Sequence, residues 1–252
     1  VLNNQLYQLY LMKKQLQFGA FAIALVMLGL MACKPKNMTS AVTGDAATKA
    51  FVAPGQYDEF YNFVSGGFSG QLSVYGLPSG RLFRVIPVFS VDPEKGWGYS
   101  EETKPMLNTS HGFVPWDDSH HPELSQTNGE TDGRWCFING NNTPRIARID
   151  LTTFETTEII EIPNSGGNHS SPFTTENTEY VVAGTRFSVP IPQEDVTIKS
   201  YADKFKGALT FVSVAPENGE MDIAFQILMP AFDYDLAHSG KGASHGWTFF
   251  TS

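Results

Sequence analysis

Two adjacent histidines, His120 and His121, stand in Trp116-Asp117-Asp118-Ser119-His120-His121-Pro122. Neutral imidazole is a common transition-metal ligand. The composition of this segment predicts a loop, and Pro122 pushes the residue before it out of the helical region. On a regular strand the two side chains would point to opposite faces, whereas on a loop both rings can turn toward one point. Asp118 is placed to accept the ring N–H that a metal-bound imidazole leaves over, which fixes the tautomer. A third histidine, His169, lies in Ser165-Gly166-Gly167-Asn168-His169-Ser170-Ser171, where glycine lets the backbone approach a bulky group. Histidine without clustered cysteine or glutamate suits copper or zinc rather than calcium or an iron–sulfur cluster. Two exposed or hydrogen-bonded loop histidines are the plainer reading of such a pair. Spacing alone leads no further than a histidine-rich transition-metal site on an exported β protein.

The elements that must carry these histidines share one grammar: a strand, a short polar turn, a second strand, then proline. Leu72 to Tyr75 and Leu82 to Pro87 flank the first turn, and Ile146 to Leu151 and Thr157 to Pro163 the second. Leu209 to Val214 and Met221 to Pro230 flank the third, where Asn218-Gly219 is a hairpin signal because both residues tolerate positive φ. Trp135 to Asn139 and Glu179 to Ala183 read as further strands, and no long amphipathic helix is found after the N-terminal region. Loosely repeated hairpins predict an all-β propeller with insertions, with a β-sandwich as the structural alternative. At roughly 45–50 residues per blade the chain holds about three to four blades. That is too few to close a ring, and the chain stops at Gly246-Trp247-Thr248-Phe249-Phe250-Thr251-Ser252, inside an aromatic strand with no turn or cap. The expectation is an incomplete propeller over 57–252.

Composition narrows the partners. The net charge is −9, with 17 basic against 26 acidic residues, which argues against nucleic acid or anionic lipid as the main partner because phosphate binding needs a basic face. Charged residues are 17% and aromatics 13%, in keeping with a strand-rich globular chain rather than a disordered one. Of the two cysteines, Cys136 sits in Arg134-Trp135-Cys136-Phe137-Ile138 and reads as a core thiol on a buried strand.

Cys33 belongs to a different region. Lys13 and Lys14 precede an uncharged run from Phe18 to Ala32, the pattern of a secretory signal peptide. Leu30-Met31-Ala32-Cys33 resembles a bacterial lipobox, which would make Cys33 a lipidated first residue. Residues 1–11 are then an upstream extension, 12–32 a lipoprotein-type signal and 33–56 a flexible tether. No twin-arginine pair is present, so export by the general secretory route to the periplasm is expected, with membrane attachment only through the lipid anchor.

Longer motifs carry a family resemblance. Tyr57-Asp58-Glu59-Phe60-Tyr61-Asn62-Phe63-Val64-Ser65-Gly66-Gly67-Phe68-Ser69-Gly70, Asp118-Ser119-His120-His121-Pro122 and Thr131-Asp132-Gly133-Arg134 resemble nitrous-oxide reductase. So do Asn141-Asn142-Thr143-Pro144-Arg145-Ile146-Ala147-Arg148, and Ile159 to Asn164 followed by Gly167-Asn168-His169. The similarity is greatest to the general-secretion branch (clade II, atypical) and runs from about Tyr57 to Ser252. It implies a homodimeric, periplasmic copper enzyme that reduces nitrous oxide to dinitrogen, the last step of denitrification. A c-type cytochrome or a cupredoxin would donate its electrons. A seven-bladed propeller would hold a sulfide-bridged tetracopper cluster, and a C-terminal cupredoxin domain a dinuclear copper site. His120, His121 and His169 match three cluster ligands, Asp118 matches a carboxylate behind them, and Asp233 matches a second such acid more weakly. The other copper ligands, the calcium ligands and the cupredoxin domain would lie beyond Ser252, so the isolated chain is expected to be inactive. His111, His238 and His245 match no ligand. The competing reading is a non-enzymatic exported propeller lipoprotein acting as a binding scaffold, since propellers are mostly binding platforms.

Overall fold

The computed structural model describes residues 44–169, 172–229 and 236–250. Cys33, the segments 1–11 and 12–32, and Asp233 lie outside the described residues. Contacts divide the chain into Val1–Phe51 and Val52–Ser252. Among the described residues of the first unit, a short helix, α1 (Asp45–Ala50), lies within the segment expected to be a tether and carries a Lys49–Asp45 ion pair at 2.6 Å. Among the described residues no helix is long and apolar enough to cross a membrane.

The all-β expectation is borne out: the second unit is built from antiparallel sheets. β1 (Phe60–Ser65), β2 (Gln71–Leu77) and β3 (Leu82–Pro87) form a three-stranded meander. A ribbon of β4 (Asn108–Thr109) and β5 (Gly112–Phe113) leads to a four-stranded sheet. Its strands are β6 (Ser119–Thr127), β7 (Glu130–Gly140), β8 (Arg145–Asp150) and β9 (Glu155–Glu161), in sequence order. In the third sheet β10 (Phe173–Thr174) pairs with β11 (Tyr180–Gly184), while β12 (Val189–Pro190) pairs with the start of β13 (Phe205–Val214). β11 and β14 (Met221–Met229) flank β13. Helix α2 (Tyr201–Lys204) precedes β13, and β15 (Leu236–Ser239) and β16 (Thr248–Phe250) form a last ribbon.

Each of the three sequence hairpins is present, as β2–β3, β8–β9 and β13–β14. At Asn218-Gly219 only the glycine takes positive φ, and a Cβ there would lie 2.6 Å from the Trp135 ring.

Packing explains the apolar run Trp135 to Ile138. β7 is buried on both faces, so alternate side chains serve two cores. Cys136 and Ile138 join Leu72, Val74 and Ile86 of the first sheet, with Val88 and Phe89 just after it. Trp135 and Phe137 join Val181, Ala183, Val212 and Val214 of the third. Each fully buried aliphatic or Phe side chain contributes about 1.5–3 kcal/mol. The three sheets therefore stack face to face in the manner of neighbouring propeller blades. Polar links cross the gaps: Thr156 donates to Pro87 O at 2.8 Å, and Gln126 N donates to Thr178 Oγ1 at 2.7 Å. Cys136 is the buried core thiol expected; burial, then the nearby Glu123 charge, pushes its pKa far up and keeps it an unreactive thiol.

Candidate metal centre

The start of β6, the end of β7 and the start of β8 meet at one end of the second sheet. His120 and His121 do not sit on a loop, as composition suggested, but within β6. The ladder pairs His120 with Asn139 and then Glu123 with Phe137, so His121 and Pro122 together oppose Ile138 alone. That is a β-bulge, and Pro122, lacking an N–H, fits where the ladder is broken. His121 has φ 46°, in the left-handed region that few non-glycine residues occupy. The bulge does what a loop was expected to do. It cancels the strand alternation, and the two imidazole centroids lie 5.4 Å apart.

His169 arrives from the segment between β9 and β10. Asn168 forms a bridge to Thr185, and Arg186 N donates to Gly167 O at 2.7 Å, so the third sheet holds this segment. A Cβ on Gly167 would lie 2.6 Å from Asn141 O, which is why this close approach needs glycine. The His169 ring lies 5.7 Å from that of His120 and 5.0 Å from that of His121. One nitrogen from each of the three lies within 4.8 Å of the others. With metal–imidazole bonds of about 2.0–2.1 Å, one ion or adjacent ions of a cluster can draw on all three. His120 and His169 are half-buried and His121 is exposed.

The polar groups around the rings fit a metal. Asp118 Oδ1 stands 3.1 Å from His120 Nε2 and is buried without a hydrogen bond. Asp118 Oδ2 accepts from Asn141 Nδ2 at 3.0 Å, and Asp118 O accepts from Asn141 N at 2.8 Å. Asn139 Oδ1, Asn141 Oδ1 and Asn168 Nδ2 are also buried with no hydrogen bond. Unpaired buried polar atoms are rare, and their gathering here marks a corner built for something besides its own packing.

Beneath lies a buried ion pair that sequence reasoning missed. Asp117 and Arg145 are both fully buried, with Arg145 Nη2 3.7 Å from Asp117 Oδ2. Asp117 accepts from Asp118 N at 2.7 Å, from Asn142 N and Thr143 N at 3.0 Å, and from Thr143 Oγ1. Arg145 donates to Val114 O at 3.1 Å and Trp116 O at 3.2 Å. Burial lowers the Arg145 pKa and Asp117 counteracts this; an arginine stays charged throughout. The two residues tie the approach to β6 to the β7–β8 turn. Their separation of 28 positions left no local signal.

Two of the remaining histidines, His111 and His245, do not belong to the cluster. His111 borders a cleft of about 660 Å³ with Ser110 and Glu161, and none of the three clustered histidines lines it. His245 Nδ1 lies 2.9 Å from Glu176. His238 is in β15, paired with Phe249.

No family model matches the chain. It is 35% identical over 208 residues to the nitrous-oxide reductase of Pseudomonas fluorescens, covering 81% of this chain and 32% of that protein. To the Stutzerimonas stutzeri nitrous-oxide reductase it is 33% identical, covering 82% and 32%. To that of Cupriavidus necator it is 30% identical, covering 84% and 36%. Among solved structures, Kuenenia stuttgartiensis hydrazine synthase superposes with a TM-score of 0.35 at 15% identity, over 65% of this chain and 50% of that one. The chain spans about a third of the length of the curated relatives it matches. The resemblance read from its motifs is borne out, and over some four-fifths of its length this chain is similar to nitrous-oxide reductase.

Proposed function

We propose that this chain supplies three histidine ligands, His120, His121 and His169, to a copper centre that reduces nitrous oxide to dinitrogen. The observation that carries the reading is the convergence of three imidazoles brought together by a bulge and by a segment 48 residues further on. Similarity to nitrous-oxide reductases supplies the substrate class and the metal.

The reaction consumes two electrons and two protons and releases dinitrogen and water. Copper, when bound, supplies the electrons and activates a substrate that is a poor ligand. The chain's own residues do the rest. The bulge aims His120 and His121 at one point, the Gly167 approach delivers His169, and Asp118 restrains the His120 ring. The remaining features go with the same proposal: a seven-bladed ring, further copper ligands and calcium, a homodimer, an electron-donor protein, and export to the periplasm with Cys33 lipidated.

The test is copper content and nitrous-oxide turnover of the whole enzyme carrying His169→Ala. We expect cluster copper and turnover to fall together while copper in the separate electron-entry site is kept. Full cluster copper and full turnover would remove His169 from the ligand set.

A further inference from the structure

We propose that Asn139 is a positioning residue of the metal centre, clamping the segment that bears His169 against the strand that bears His120. Asn139 is fully buried and lies directly opposite His120 in the β6–β7 ladder, so the two side chains share a face of the sheet. Its Nδ2 donates to Asn168 O at 2.7 Å, and Asn168 immediately precedes His169. A backbone carbonyl can only accept, so this bond fixes the amide orientation and leaves Oδ1 as the other atom.

That Oδ1 is buried with no hydrogen bond, as are Asp118 Oδ1 and Asn141 Oδ1 in the same corner. A metal-bound imidazole keeps one ring N–H that needs an acceptor, and such acceptors set ring orientation and ligand strength. Asn139 thus has two tasks. Its nitrogen holds the loop, and its oxygen is an acceptor for the centre. Sequence spacing pointed only to Asp118 for the second task.

The inference rests on the copper reading above, and the test separates the two. Cu²⁺ alone is titrated into the whole enzyme free of metal, with affinity measured by competition and coordinated nitrogens counted by electron paramagnetic resonance. Thermal unfolding is the control. Asn139→Leu removes both polar atoms. Asn139→Asp keeps the shape and the acceptor but sets an oxygen against Asn168 O. Both are expected to bind copper roughly 10- to 100-fold more weakly, with fewer coordinated nitrogens as His169 is released. If Asn139→Leu loses cooperative unfolding, the isosteric Asn139→Asp decides. Variants with wild-type affinity and nitrogen count would overturn the inference alone. A wild-type chain that takes up no copper through these histidines would overturn the copper reading and this inference with it.

Discussion

The Asp118 carboxylate is divided between two neighbours: Oδ2 accepts from the Asn141 amide at 3.0 Å, and Oδ1 stands 3.1 Å from His120 Nε2. The amide anchors one oxygen, so the other is held toward the ring. With Nε2 turned to the carboxylate, Nδ1 of His120 is the nitrogen left for a metal. Asp118→Asn should lower copper affinity or activity roughly 10- to 100-fold while the fold survives. Copper titration and circular dichroism of that variant check this. Unchanged affinity would show that Asp118 does not restrain the ring.

His121 carries a second, separable role. Its φ of 46° is part of the bulge that brings both imidazoles together. Asparagine tolerates the left-handed region, and a β-branched side chain does not. His121→Asn should therefore remove a ligand at little cost in stability. His121→Val should unfold about 1–2 kcal/mol more easily than His121→Asn. Denaturant melts of the two variants compare them directly, and equal midpoints would contradict strain at this position.

The hairpins were legible because apolar alternation and turn residues are local signals. Leu72–Val74 and Leu209–Val214 announce strands without help from the rest of the chain. β6 was missed because two histidines and a proline interrupt its alternation, although Asn128-Gly129, with φ of 53° and 78°, is the tight-turn signal that joins it to β7. β1 was read only as part of a motif. The three clustered histidines were visible as residue types, and the resemblance pointed to all three. The partners that hold them were not. Asn139 meets Asn168 across 29 positions and Asp117 meets Arg145 across 28, and such pairings exist only once the sheets have formed.

Acid should weaken the second sheet through Asp132. Burial alone would raise its pKa, but hydrogen bonds from Arg134, Ser125 and Thr127 outweigh this and lower it to about 2, against an ordinary 3.8. A carboxylate with a depressed folded-state pKa stabilises fully above its unfolded value and loses that contribution as pH falls through the folded one. The window is thus from near pH 4 down to about 2, and after solvent screening the effect is about 1 kcal/mol. Urea melts across that range should show wild type losing this increment. Asp132→Asn should show a flatter profile there; an equally steep one would mean that another carboxylate is responsible.

The Arg145–Asp117 pair should be the stability element under the metal centre. Both side chains are fully buried, so removing one leaves the other charged and poorly solvated. Breaking such a pair from one side costs about 3–5 kcal/mol. Arg145→Met and Asp117→Leu should each approach that loss, and the double variant should cost less than the two together, because no lone charge remains. Gly140→Ala offers an independent check. Its new Cβ would lie 2.3 Å from Asp117 Oδ2, so the carboxylate must move although no charge is lost. Because Asp118 N donates to Asp117 at 2.7 Å, that movement passes to the residue facing His120. Gly140→Ala should therefore lose copper affinity as well as stability. Chemical denaturation and copper titration of all four variants provide the measurements. Strict additivity in the double variant, or Gly140→Ala with wild-type copper binding, would show that the ion pair supports the fold alone and not the centre above it.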